Sequence, residues 1–173
     1  MNLIHPVSGA RISSAFGVNR GDHAHAGVDF AAPNGTPVLA AASGRVSVAK
    51  FSATAGNMII VDHGGGLDTR YFHLSRFAVG VGAQVARGQT IGAVGSTGKS
   101  TGNHLHFEVR VNGAAVDPVY ALQSGAGAPS QGGAIPQPDM SMLPGGDSLF
   151  ESDNAPFIVA VFALLLIVVA ARR

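Results

Sequence analysis

Turn-forming residues interrupt the first 122 residues so often that long helices have little room to form. The chain contains 24 glycines and 9 prolines, and short apolar runs lie between many of them. No segment of this part shows the sustained 3.6-residue apolar period of an amphipathic helix. The pattern predicts an all-β fold, mostly antiparallel, arranged as a sandwich or a partly open barrel.

Seven segments have the length and residue content of β-strands. We predict strands at 11–16, 36–41, 44–51, 57–62, 69–74, 89–94 and 104–111. Turn residues separate them, as at 33–35, 63–66 and 111–113.

The end of the chain differs from the rest in composition. Positions 156–171 are all apolar, and Arg172 and Arg173 follow them. A run of about 16 residues is about 24 Å long as a helix, against about 30 Å of bilayer hydrocarbon, and the arginines can reach the headgroups. We therefore predict a C-terminal transmembrane helix at 156–173. A flexible Gly-, Pro- and Ser-rich linker at 123–155 would join it to a folded domain at 1–122.

Charge and cysteine content limit the kinds of site that this chain can build. The formal net charge is +1 and no basic cluster occurs, so nothing indicates a nucleic-acid partner. Cysteine is absent, which removes disulfides and thiolate ligands. A metal in this chain has to be held by histidine and carboxylate side chains.

The sharpest candidate site lies in the predicted strand at 104–111. Side chains alternate between the two faces of a strand, so His104, His106 and Glu108 share one face. The apolar residues between them would form the core face. The two imidazoles thus project onto one surface, close enough to serve a single metal centre.

Two other segments add histidines whose roles the spacing leaves open. His25 and Asp29 lie four apart around Gly27, which lets the backbone bend, but His23 and His25 also form a His-x-His pair. Either histidine could be the ligand. His73 would share a strand face with Tyr71, and by itself it is as consistent with a structural role as with a catalytic one.

Taken together and in order, these segments resemble the lysostaphin-type zinc endopeptidases, the LytM-like M23 family. The resemblance covers residues 5 to 121, with matching motifs at 14–17, 25–30, 35–38, 44–46, 61–64, 69–74, 88–92, 95–98, 104–108 and 116–118. It implies that one Zn²⁺ per chain is bound by His25, Asp29 and His106. It also implies that His73 and His104 are the catalytic imidazoles.

The remaining three histidines receive other assignments from the same comparison. His63 stands at a position that does not bind the metal in the family, and we interpret it as structural. We interpret His5 as a surface residue. His23 is an additional neighbour of His25 without an assigned role.

The resemblance implies a zinc metalloendopeptidase that hydrolyses peptide cross-links of bacterial peptidoglycan. The alternative is a non-catalytic cell-wall-binding or hydrolase-activating module on the same fold; all five site positions are intact, which favours the enzyme. A biotinyl- or lipoyl-like carrier would need a lysine at a hairpin tip, and Lys50 and Lys99 lack the flanking pattern. The cleaved bond and the oligomeric state stay open.

Location is predicted from the two ends of the chain. The N-terminal residues have neither the basic nor the apolar region of a signal peptide. Arginines after the predicted anchor favour a cytoplasmic tail and an extracytoplasmic catalytic domain in a single-pass membrane protein. A peptidase domain without an export signal, joined to a tail anchor, favours a phage virion membrane over a bacterial inner membrane.

Overall fold

Residues 2–124 are described by the structure, a computed structural model. The predicted transmembrane helix and nearly all of the predicted linker lie outside the described residues. The linker prediction began at residue 123, but the last helix continues to Ser124. Among residues 2–124, no helix is long and apolar enough to cross a bilayer.

Residues 2–124 form eleven strands and one short helix. The elements are β1 (Arg11–Ser14), β2 (Val28–Ala31), β3 (Pro37–Leu39), β4 (Gly44–Ser52), β5 (Gly56–Gly64), β6 (Leu67–Leu74), β7 (Arg76–Phe77), β8 (Gln84–Val85), β9 (Thr90–Ala93), β10 (His104–Val111), β11 (Ala114–Val116) and α1 (Pro118–Ser124). All seven predicted strands are present, although those at 11–16, 36–41 and 89–94 are shorter than predicted.

The strands form two antiparallel sheets. The larger sheet has eight strands in the order β1-β2-β10-β6-β5-β4-β8, with β11 paired to β10, and the smaller sheet has the order β3-β9-β7. Every pairing within these sheets is antiparallel. The prediction of a mostly antiparallel all-β fold is therefore confirmed.

The core draws apolar side chains from both sheets, and β10 supplies its central row. Leu105, Phe107 and Val109 are buried in this core, as the strand alternation predicts. Phe107 packs against Phe30 of β2 and Tyr71 of β6, with ring centroids 6.3 Å and 5.3 Å away. This packing fixes β10 between β2 and β6, and the opposite face of β10 carries the histidines.

The predicted alternation along β6 is wrong at its end. Tyr71 lies in the core, whereas Phe72 stacks on His106 on the opposite face, with ring centroids 5.3 Å apart. His73 adopts a left-handed conformation with φ 62°, and the pairing of β6 with β5 shifts register at this point. The bulge interrupts the two-residue period, so His73 does not share the face of Tyr71.

Four strands lack a prediction: β2, β7, β8 and β11. Each has four residues or fewer, too short for alternation to stand out from neighbouring turns. Of these four unpredicted strands, β2 matters most for the candidate site. It lies between β1 and β10 in the large sheet, and its pairing with β10 carries one side of the candidate site.

Candidate metal centre and active site

The centre forms where β2 and β10 lie side by side. Asp29 of β2 and His106 of β10 are direct partners in the antiparallel register. His25 lies in the segment just before β2, where Gly27 passes so close to β10 that a Cβ there would meet the Phe107 carbonyl oxygen at 2.3 Å. The close approach brings His25 over the same face. Residues 77 and 81 positions apart in sequence thereby come into contact.

Three side-chain atoms converge at this point. His106 Nδ1 lies 2.8 Å from Asp29 Oδ1 and 3.0 Å from His25 Nε2, and His25 Nε2 lies 3.2 Å from Asp29 Oδ1. Ligand atoms at about 2.0–2.1 Å from a tetrahedral zinc ion lie about 3.3 Å from one another. The spacing of the three atoms, and a donor set of two imidazoles and a carboxylate, fit zinc.

Hydrogen bonds on the far side of each ring assign the histidine tautomers. His25 Nδ1–H donates to the Ala15 carbonyl at 2.7 Å, and His106 Nε2–H donates to Glu108 Oε1 at 3.2 Å. The two inner nitrogens then carry lone pairs that face each other and the Asp29 carboxylate. Three acceptors without a proton between them repel one another, so the cluster needs a cation or a proton to be stable.

The second carboxylate oxygen of Asp29, Oδ2, also accepts a hydrogen bond. Arg20 donates to Oδ2 at 2.6 Å and to the Ser14 hydroxyl at 3.1 Å. Burial favours the neutral acid, but hydrogen bonds from His106 and Arg20 outweigh it, and the pKa of Asp29 lies well below its usual range. Asp29 is therefore ionised, with Oδ1 left toward the two imidazoles.

The two ligand histidines respond to burial in opposite ways. Burial lowers the pKa of His25, and the hydrogen bond to Ala15 does not compensate. Burial acts in the same direction on His106, but the hydrogen bonds with Asp29 and Glu108 outweigh it and raise its pKa. Without a cation, the proton of this cluster therefore resides on His106.

His104 and His73 lie beside the cluster with their rings 4.8 Å apart between centroids. His104 Nδ1–H donates to the Gly102 carbonyl at 2.8 Å, and His104 Nε2 lies 3.8 Å from Asp29 Oδ1. His73 Nδ1–H donates to the Thr97 carbonyl at 2.8 Å. In both rings Nδ1 is engaged by a backbone carbonyl, so Nε2 can interact with other groups. Burial lowers the pKa of His73, so its ring is neutral at neutral pH.

The backbone at His73 is unusual for a residue with a side chain. Its φ of 62° lies in the left-handed region, which is uncommon for residues other than glycine and frequent at functional sites. The His73 N–H donates to the Ala55 carbonyl at 2.9 Å. This bond and the Thr97 contact hold the ring beside His104, where regular strand geometry would have turned it away.

The other histidines lie elsewhere. His63 is buried between the Ser43 carbonyl and the Thr69 hydroxyl, which also bonds the Tyr71 hydroxyl. His5 is exposed and its ring packs on Phe30, 4.2 Å away between centroids. His23 is exposed at the rim of the site, next to Asp22.

The structure adds two residues for which no role was predicted. Glu108 shares the strand face of His104 and His106, as predicted, but it is buried and bonds His106 and Arg110. Its position two residues after His106, on the same strand face, is the sequence feature that could have indicated a role for Glu108. No sequence pattern indicates a role for Arg20, because it lies in an irregular segment between turns.

An open groove of about 1000 Å³ lies over the site. All five predicted site residues line it. They are His25, Asp29, His73, His104 and His106. The arrangement can therefore present a bound cation and two imidazoles to an extended ligand.

Comparison with known proteins identifies the family. Residues 23–118 match peptidase family M23, over more than half of the chain. The chain is 45% identical over 121 residues to the DD-carboxypeptidase/endopeptidase Mpg of Neisseria meningitidis, covering 67% of this chain and 28% of that protein. It is 45% identical over 97 residues to the peptidoglycan DD-endopeptidase ShyA of Vibrio cholerae, covering 56% of this chain and 23% of that protein.

A solved structure of a peptidase is also similar to this chain. The crystal structure of a zinc-containing peptidase from Vibrio cholerae superposes with a TM-score of 0.65 at 37% identity, covering 70% of this chain and 40% of that one. The chain spans less than a third of the length of the two relatives above. From the family match and these similarities we conclude that this chain belongs to the metallopeptidases of family M23.

Proposed function

We propose that the chain is a zinc-dependent endopeptidase that hydrolyses peptide cross-links of bacterial peptidoglycan. The observation that carries the proposal is the convergence of His25 Nε2, Asp29 Oδ1 and His106 Nδ1 within 3.2 Å of one another. Two further imidazoles flank these atoms, at the floor of an open groove. Three protein ligands leave a fourth position for water, as in catalytic zinc sites.

His25, Asp29 and His106 would hold one zinc ion. When bound, zinc lowers the pKa of a water molecule toward about 7 and polarises the scissile carbonyl. The hydrogen bonds from His25 to Ala15 and from His106 to Glu108 keep the correct nitrogens directed inward. The protein thereby supplies a site that needs little reorganisation on binding.

His104 would act as the general base. Its Nδ1–H is engaged by the Gly102 carbonyl, so its Nε2 accepts the proton of the attacking water and returns it to the leaving amine. Nε2 lies 3.8 Å from Asp29 Oδ1, beside the proposed ligands. This position supports the role.

His73 would stabilise the negative charge that develops on the carbonyl oxygen. Its Nδ1–H is engaged by Thr97, so Nε2 can donate only when the ring is protonated. Burial lowers the pKa of His73. The donor role therefore requires Nε2 to take up a proton from solvent, which the negative charge developing on the carbonyl oxygen would favour.

The names of two relatives support a peptidoglycan substrate. ShyA is a peptidoglycan DD-endopeptidase and Mpg a DD-carboxypeptidase/endopeptidase. An open groove suits a peptide cross-link better than an enclosed pocket would. We therefore propose a DD peptide bond of peptidoglycan as the bond cleaved.

We also propose that the apolar run at 156–171 anchors the chain in a membrane, with the catalytic domain extracytoplasmic and a phage virion membrane as the location. The length of this run supports the anchor, and the arginines after it support the extracytoplasmic orientation. Resistance of the chain to extraction from membranes by alkaline carbonate tests the anchor. Release of the chain by that treatment would contradict it.

Two substitutions test the enzyme assignment. His106→Ala should lose both zinc and hydrolysis of purified peptidoglycan, because it removes a ligand. His104→Ala should keep zinc but lose activity by about 10²–10⁴-fold. His5→Ala is a matched control at an exposed histidine outside the groove, and it should retain both. Full activity of His104→Ala would contradict the assignment of His104 as the general base. A parent chain that binds zinc but does not hydrolyse peptidoglycan would favour a non-catalytic wall-binding module.

A further inference from the structure

The three carboxylates that line the groove are each engaged by a neighbouring residue. Asp29 contacts Arg20, Asp22 contacts the His23 ring, and Glu108 contacts Arg110, which lies outside the groove lining. Lys99 also lines the groove and is exposed, but its ammonium forms no hydrogen bond or ion pair with any residue of the described part. Among the described residues that line the groove, Lys99 is therefore the cation available to a ligand.

The backbone of Lys99 is held rigidly although its side chain is free. Its N–H donates to the Thr54 carbonyl at 2.9 Å. The preceding Gly98 has φ 73°, and a Cβ there would meet the nitrogen of Gly56 at 2.3 Å. Only glycine permits this approach of the loop to the β4–β5 turn. The ammonium therefore extends from a fixed point.

The same loop orients both proposed catalytic imidazoles. The Thr97 carbonyl bonds His73 and the Gly102 carbonyl bonds His104. Lys99 lies two residues after the first and three before the second, so its Cα is within about 10 Å of either residue's Cα. Lys99 and both imidazoles also line the same groove.

Asp22 is the acidic group that faces Lys99. The pKa of Asp22 is lowered, mainly by its hydrogen bond with His23, and the charge of Lys99 makes the smallest contribution. Asp22 is thus engaged chiefly by its sequence neighbour. Lys99 stays available to a substrate anion.

We propose that Lys99 binds a carboxylate on the peptide substrate, on a residue beside the scissile amide. This inference rests on the proposed peptidase function and specifies its substrate as an anionic peptide. A charge-assisted hydrogen bond of this kind is expected to change substrate preference by roughly 10-fold. The fixed loop reduces the entropy lost when the contact forms.

The test compares two forms of one cross-linked peptide, with that carboxylate free or amidated. For each form, kcat/KM and the binding affinity are measured with the parent chain and with Lys99→Gln, Lys99→Arg and Lys50→Gln. Lys50 is exposed on β4 and does not line the groove. It therefore controls for loss of a surface charge.

We expect the parent and Lys50→Gln to prefer the free acid about 10-fold in binding and cleavage. Lys99→Gln should lose this preference, and Lys99→Arg should retain most of it. A parent chain without a binding preference, or a preference that survives in Lys99→Gln, would overturn the inference. Cleavage of both peptides in that case would leave the peptidase function standing, whereas preferential binding without cleavage would support Lys99 and count against the peptidase.

Discussion

His106 Nε2 lies 3.2 Å from Glu108 Oε1, and this contact determines which nitrogen of His106 faces Asp29. Glu108 is buried, and Arg110 donates to its second oxygen at 2.8 Å. Burial raises the pKa of Glu108, but the hydrogen bonds from His106 and Arg110 outweigh it, and the pKa is lowered. An ionised acceptor therefore stands behind a proposed zinc ligand.

We predict that Glu108→Ala weakens zinc binding by about 10–100-fold, because His106 loses the acceptor that orients it. Glu108→Gln should lose less, since its amide oxygen can still accept from Nε2–H. Zinc affinity is measured by competition with a chromophoric chelator. Arg110→Ala is the matched control: it removes the other hydrogen-bond donor to Glu108 and leaves the His106 contact, so its effect should be smaller. Unchanged affinity in Glu108→Ala would refute the role.

Zinc binding should release a proton from His106. In the metal-free chain the pKa of His106 is raised above 6.5, so His106 is still protonated at a pH where an ordinary histidine is mostly neutral. Zinc requires the neutral ring, so affinity should fall as pH decreases, starting above 6.5. Calorimetry at pH 6.5 in buffers of different ionisation enthalpy measures the released proton. Binding enthalpies that do not depend on the buffer would contradict this.

Tyr71 should make the folded state sensitive to alkali. It is fully buried, and burial raises its pKa from 10.0 to about 12. The folded pKa exceeds the unfolded one, so this contribution to stability is complete below pH 10 and is lost as pH rises from 10 to 12. A shift of this size corresponds to about 3 kcal/mol.

The test of Tyr71 is urea unfolding of Tyr71→Phe at pH 7 and pH 11. At pH 7 the variant should lose about 1–3 kcal/mol, because the Ala41 N–H and Thr69 lose a buried partner. Between pH 7 and 11 it should lose less stability than the parent. Tyr120→Phe, at an exposed tyrosine, should keep the parental alkaline loss. Equal losses in the parent and Tyr71→Phe would exclude Tyr71 as the source.

Short-range patterns were enough to predict the all-β class and the face that His104, His106 and Glu108 share. Both follow from the two-residue period of a strand, which neighbouring residues express directly. The absence of cysteine likewise limited any metal site to histidine and carboxylate ligands. Family resemblance was needed to select His25 over His23, and in the structure His25 contacts His106 and Asp29 while His23 is at the rim.

Other features depend on contacts between distant segments and could not be read from neighbouring residues. The register that sets Asp29 opposite His106 joins strands far apart in sequence, and it is fixed by packing of Phe30 and Phe107 in the core. The left-handed backbone of His73 overrode the predicted alternation, because a bulge in β6 and the bonds to Ala55 and Thr97 reposition the ring. Strand period is a local property of the chain, whereas register and bulges arise only when whole strands pack together.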